Sequence, residues 1–188
     1  NHQQFKDAFA LAVTEFGHVD IMVNNAGIMN ESKWELMISV NFTSVVLGTQ
    51  LAIEHMRKDK GGRGGRIINI SSAAGLRDIP EVPVYCGTKH AVRTFTSSLA
   101  LPLNAQQLEI EYGILCPDAA ATDLIFKLDH EKSPFYNQIK SRIDESIMPV
   151  SVVVDAFLEL LQLEKMNGSI LHVTLQGNTY QKMEIVAV

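Results

Sequence analysis

RIINISSAAGLRDIPEVPVYCGTKHA, residues 66–91, decides how the rest of the chain reads. Arg66-Ile67-Ile68-Asn69-Ile70 is short and β-branched, with glycines before it and serines after, the pattern of a buried parallel strand. Ser72 stands at the carboxyl end of that strand. In open α/β sheets ligands bind outside the carboxyl ends of strands, so a hydroxyl there faces a crevice. From residue 84 to residue 101 the apolar spacing turns helical, which puts Tyr85 and Lys89 on one face, one turn apart.

That pairing has a chemical use. A phenol titrates near ~10 and accepts protons poorly at neutral pH, whereas a neighbouring ammonium favours the phenolate. Lowering it by about three units takes about 4 kcal/mol of differential stabilisation, more than one lysine supplies. The same spacing also fits a tyrosine packed beside the stem of a snorkelling lysine, so the pair by itself leaves both readings open.

Composition narrows the classes of function. At 188 residues and 46% hydrophobic content, the chain fits one domain with a substantial core. A net charge of -5 gives no basic footprint for nucleic acid, and metal-ligand spacings of His and Cys are missing. Cys86 and Cys116, the only cysteines, suit a reducing cytosol better than a disulfide. The apolar runs read as too short to span a bilayer and no signal-like segment opens the chain. The expectation is a cytoplasmic protein with no nucleic-acid and no membrane partner.

Working outward, Phe5, Ala8, Phe9, Ala12, Val13 and Phe16 keep helical spacing up to Gly17. Residues 19–23 read as a buried strand, with Asn24-Asn25-Ala26-Gly27 as its exit turn. Ser32 and Glu35 have the spacing of a capping box, and apolar positions recur from Trp34 to Met56, predicting one long helix that contains Asn41. Asparagine is a poor helix former that more often points to solvent or bonds locally. The glycines at 61, 62, 64 and 65 precede a strand, so they read as a surface loop and not as a phosphate cradle. Residues 110–116 form a further strand ended by Pro117, and Ser151 is placed to cap an apolar helix over 152–166. A last strand covers 170–174, followed by a tail without evident chemistry.

Ser72, Tyr85 and Lys89 together spell S-x12-Y-x-x-x-K, preceded by NNAG and followed by Cys116-Pro117 at a strand end. On these motifs, in this order across nearly the whole chain, the sequence resembles the short-chain dehydrogenase/reductase family. GGRGGRIINISSAAGL, PVYCGTKHAV and NGSI are similar, within it, to the NAD-dependent 15-hydroxyprostaglandin dehydrogenases.

The resemblance implies an α/β fold, a Rossmann-like doubly wound parallel sheet of which residues 1–188 form a single domain with four strands. It implies oxidation of a lipophilic secondary alcohol, of the prostaglandin or hydroxy fatty acid class, to a ketone with NAD. Tyr85 is then the base, with the cationic oxidised nicotinamide helping Lys89 to favour its phenolate. Ser72 hydrogen-bonds the reacting oxygen, Lys89 also binds the nicotinamide ribose, and Asn41 holds a relay water. Asn25 lies near the adenosine half and Thr122 near the carboxamide, although a plain helix N-cap suits Thr122 equally. Residues 126–148 correspond to the lid over substrate, and the helices over 33–56 and 84–101 to the family's homodimer contact.

Three departures qualify this. Asp118 stands where the family has glycine, so its charge and side chain would crowd the cofactor. Val82 replaces a glutamine that orients the substrate hydroxyl in the prostaglandin-type enzymes. The Gly-rich turn after a first strand, with its acidic or basic selector, is not in the chain, so on the order of 60 residues of the fold are expected ahead of Asn1. The strand over 19–23 would then be an exposed apolar edge, and these residues alone would turn over little substrate. The alternative is a catalytically inactive pseudoenzyme serving as a binding or dimerisation partner.

Overall fold

The computed structural model describes residues 1–144 and 146–182. Within them a five-stranded sheet runs β1 (Ile21–Asn24), β2 (Gly65–Ile70), β3 (Ile110–Pro117), β4 (Ser169–Thr174) and β5 (Gly177–Gln181), in that spatial order. The first four strands pair in parallel, with Ile67 beside Tyr112 and Ile114 beside Ile170. The α/β expectation therefore holds.

Helices cover both faces, which is why β2, β3 and β4 read as nearly unbroken apolar runs. Ile67 and Tyr112 pack with Ala52, Ile53 and Met56 of α3 (Ser44–Met56). Ile68, the next residue along β2, and Leu115, three further along β3, turn to the other face and meet Ala156 and Leu160 of α8 (Val150–Gln162). α4 (Pro83–Leu99) packs on β2 and β3. α1 (His2–Phe16) packs on α3 and ends at Gly17, whose φ of 80 suits glycine.

Four expectations are corrected. The sheet has a fifth strand where a featureless tail was expected. β5 pairs antiparallel with β4 across Leu175-Gln176, and Gly177 takes the φ of 133 that the turn demands. All five residues of β5 are exposed and mostly polar, so no hydrophobic alternation announces the strand. Secondly, Ser32 caps nothing: Asn30 accepts the Lys33 N–H at 3.1 Å, while the Ser32 hydroxyl donates to the Glu131 carbonyl. Thirdly, the long helix is composite, with α2 (Trp34–Ile38) and α3 joined by a π turn over Ser39–Thr43. By length and composition this stretch could cross a bilayer, yet Met37, Asn41, Val45 and Ala52 are buried in the fold. Fourthly, Ser151 lies inside α8, which starts at Val150 without a side-chain cap.

The strand expected at 19–23 is displaced by one or two residues to Ile21–Asn24. It is the sheet's edge, and Ile21 and Val23 are exposed while Asn24 is buried. α5 (Pro102–Leu108) leads into β3. Over the carboxyl ends of the strands lie α6 (Asp123–Phe126), just ahead of the stretch expected to be a lid, and α7 (Tyr136–Asp144), within it.

Candidate active site

Three parallel strands end side by side, and the residues that follow them share one cavity of about 810 Å³. β1 contributes Asn25, Ala26 and Gly27, β2 contributes Ser71 and Ser72, and β3 contributes the segment from Asp118 to Ala120. Tyr85 and Lys89 enter from α4. Ile79, Val82, Leu124, Ile125, Ile139 and Ile143 make the remaining wall largely apolar.

Ser72, two residues past the end of β2, is extended, and its hydroxyl accepts the Ala74 N–H at 3.2 Å. Tyr85 is 7% exposed. Burial pushes its phenol up to about 12, and a hydrogen bond with Ser72 pulls in the opposite direction. Lys89 sits 5.6 Å above the Tyr85 ring and donates to the Ile70 carbonyl at 3.0 Å. Its burial brings the ammonium down to about 8, so it remains mostly charged at neutrality.

Asn41 is fully buried in the π turn. Its amide clamps the backbone of Ile28, accepting from N–H and donating to C=O, both at 2.8 Å, and donates to the Thr88 hydroxyl at 3.2 Å. Thr88 passes the contact on, donating to the Tyr85 carbonyl at 2.7 Å. Asn41 thus lies behind the cavity wall at Gly27, where a Cβ would stand 3.5 Å from both Asn41 Oδ1 and Lys89 Nζ.

Comparison with known proteins decides the family. The short chain dehydrogenase model matches residues 1–133. The chain belongs to the short-chain dehydrogenase family. It is 35% identical over 180 residues to the 15-hydroxyprostaglandin dehydrogenase [NAD(+)] of Rattus norvegicus, which takes in 93% of this chain and 68% of that protein. The Homo sapiens protein of the same name shows the same identity and shares. Alcohol dehydrogenase 1 of Ceratitis capitata is 29% identical over 178 residues, 94% of this chain and 69% of that one. Among solved structures, acetoin dehydrogenase YohF from Salmonella typhimurium superposes with a TM-score of 0.55 at 33% identity. That match covers 61% of this chain and 47% of the other, about half its length.

In this short-chain dehydrogenase, Ser72, Tyr85, Lys89, Asn25 and Thr122 all line the one cavity, and Asn41 backs it. Thr122 is the N-cap residue of α6, but its hydroxyl makes no cap and bonds the Ala120 carbonyl at 3.3 Å. The carboxylate of Asp118 pairs with Arg77 at 3.0 Å and lies 3.4 Å from the His172 ring, so the Arg77 guanidinium offsets the charge expected to repel a cofactor. Among the described residues no cluster of His, Cys, Asp and Glu could hold a metal ion.

Sequence reasoning missed the polar network beneath the cavity. Asn24 of β1 donates to Asn69 of β2 at 2.8 Å and to Thr49 of α3 at 3.1 Å, and Asn69 donates to Thr96 of α4 at 2.9 Å. The four side chains are buried and join the four elements that carry the site. An asparagine in the middle of the RIINI strand was the available signal, because a buried amide must find partners.

Proposed function

We propose that this short-chain dehydrogenase oxidises a lipophilic secondary alcohol, of the prostaglandin or hydroxy fatty acid class, to a ketone with NAD. One observation carries the reading: Ser72, Tyr85 and Lys89 meet on a single wall of a cavity that is otherwise mainly apolar. Such a cavity suits a lipophilic alcohol. Lys89, Tyr85 and Thr122 would hold the nicotinamide riboside half, their ammonium and hydroxyl groups fitting the sugar and carboxamide they would meet, and Asn25 would lie toward the adenosine half. No Gly-rich strand-to-helix turn for a pyrophosphate is present within the 188 residues.

NAD, when bound, would supply a hydride acceptor and a positive charge. Tyr85 takes the proton of the substrate hydroxyl, and Ser72 holds the same oxygen. With its phenol at about 12, Tyr85 becomes a phenolate near pH 7 only after about 7 kcal/mol of further stabilisation. Lys89 and the cofactor's charge share that task. Lys89, at about 8, can also release and regain its own proton near neutrality. Asn41 fixes the loop before Ile28, and the second lone pair of its Oδ1 is the atom through which a relay water would be held.

The same reading places the enzyme in the cytosol as a homodimer, supported by two free cysteines and by exposed Trp34, Leu36 and Ile38 on the α2 surface. Tyr85→Phe in the intact protein should lower kcat by at least ~100-fold while NADH affinity falls far less. Retained turnover in that variant refutes the assignment of the base.

A further inference from the structure

α4 presents the base from its first turn, and a helix's first N–H groups have no partner within the helix. Val82, at the N-cap, has no side chain that could help, and Pro83 has no N–H. The two exposed donors that follow are both taken by one carboxylate from another element. Glu31 Oε2 accepts from the Val84 N–H at 3.2 Å and Oε1 from the Tyr85 N–H at 2.9 Å. A negative charge at a helix N-terminus is favourable in itself.

Glu31 is in turn held from the far side. Its own N–H donates to the Lys132 carbonyl at 2.8 Å, and the adjacent Ser32 hydroxyl donates to the Glu131 carbonyl. Asn30 closes the same turn by accepting from the Lys33 N–H. The carboxylate therefore sits on a braced turn, not at the end of a free side chain.

We propose that Glu31 is a positioning residue for the short-chain dehydrogenase reaction: its carboxylate fixes the backbone of Tyr85, and so the place of the phenol relative to Ser72 and the substrate. The inference rests on Tyr85 being the base. Helix ends fray when their donors are released, and a displacement of about 1 Å at a reacting group costs about 100-fold in rate. Thr88 anchors the other end of the same residue by bonding the Tyr85 carbonyl, so Glu31 supplies the constraint on its amide side.

The test compares Glu31→Ala, Glu31→Gln and Tyr85→Phe in the intact protein. Oxidation of a hydroxy fatty acid is followed per NADH-binding site, and amide hydrogen exchange is followed at Val84 and Tyr85. Glu31→Ala should lower kcat by about 100-fold with NADH affinity within about twofold, and speed exchange of both amides about tenfold or more. Glu31→Gln keeps an acceptor oxygen in place and should recover kcat to within about tenfold of wild type. A purely structural role would lower the number of NADH-binding sites and leave kcat per site unmoved. Unchanged kcat per site in both Glu31 variants, or unchanged exchange at Tyr85, overturns the proposal. If Glu31→Ala does not fold, Glu31→Gln decides: faster exchange at both amides with kcat per site at the wild-type level overturns positioning, whereas faster exchange with lowered kcat per site supports it. Turnover retained in Tyr85→Phe removes the base assignment instead, and the exchange data still report whether Glu31 holds the helix start.

Discussion

Replacing Asn69 with alanine should do more damage than its size suggests. The side chain lies fully buried near the carboxyl end of β2, accepts from Asn24 at 2.8 Å and donates to Thr96 at 2.9 Å, with a longer contact to Thr49 at 3.3 Å. Asn69→Ala removes all of these at once. Thr96 still donates to the Val92 carbonyl and Asn24 still reaches Thr49, so neither partner is stripped bare. Two short buried bonds at about 1–3 kcal/mol each give a loss of about 4 kcal/mol. Urea unfolding of the two proteins in parallel measures it as a shift of midpoint with an unchanged slope. A double-mutant cycle with Asn24→Ala should return a coupling of about 1–2 kcal/mol, since the two amides bond each other directly. A loss below about 1 kcal/mol, or strict additivity in the cycle, would show that the network does not bind the four elements together.

Other expectations follow from the same region. Burial lowers Lys89 from 10.5 to about 8, so between those values the unfolded chain binds the extra proton and the native state does not. Stability contributed by this group therefore rises with pH from about 8 to 10.5, and the advantage of Lys89→Met over wild type should shrink by about 3 kcal/mol across that window, read by urea melts. Gly48→Ala would put a Cβ 2.2 Å from Asn24 Oδ1 and 2.8 Å from Met22 Cε, and Asn24 is tied to Asn69 and Thr49; the cost should be about 1–3 kcal/mol in the same assay. Gly87→Ala, on α4 with open space around it, should instead stabilise by up to about 1 kcal/mol.

What the sequence disclosed divides along physical lines. β2, β3 and β4 were legible because strands covered on both faces must be apolar, and Ile67, Ile68, Ile114 and Leu115 leave little room for another reading. Tyr85, Lys89 and Ser72 were legible because their relation is local, fixed by one helical turn and one strand end. β5 was not, because backbone pairing with β4 and bonds from Asn178 and Tyr180 to Glu159 hold it, and neither leaves a hydrophobic trace. Glu31 escaped notice for another reason. Its partners stand 53 and 54 residues away, and nothing in the spacing of a carboxylate announces which helix it will cap. The capping box at Ser32 failed because the helical run starts earlier, at Glu31 with Asn30 as its N-cap, and the serine hydroxyl found the Glu131 carbonyl instead.

The π turn over Ser39–Thr43 bears on how relatives of this chain vary. A π turn holds one residue more than the α-helical turn it replaces, so α2 and α3 face their neighbours out of step by about 100° compared with a straight helix. Losing a single residue there would let the helix straighten, and whichever side of the gap gave way would rotate off its contacts. Met37 under the cavity and Ala52 against the sheet could not both stay buried. Apart from the buried Asn41, substitutions within these five residues are tolerable one by one, but a change of length is not. Relatives should therefore drift in sequence at this turn while keeping its count of residues fixed.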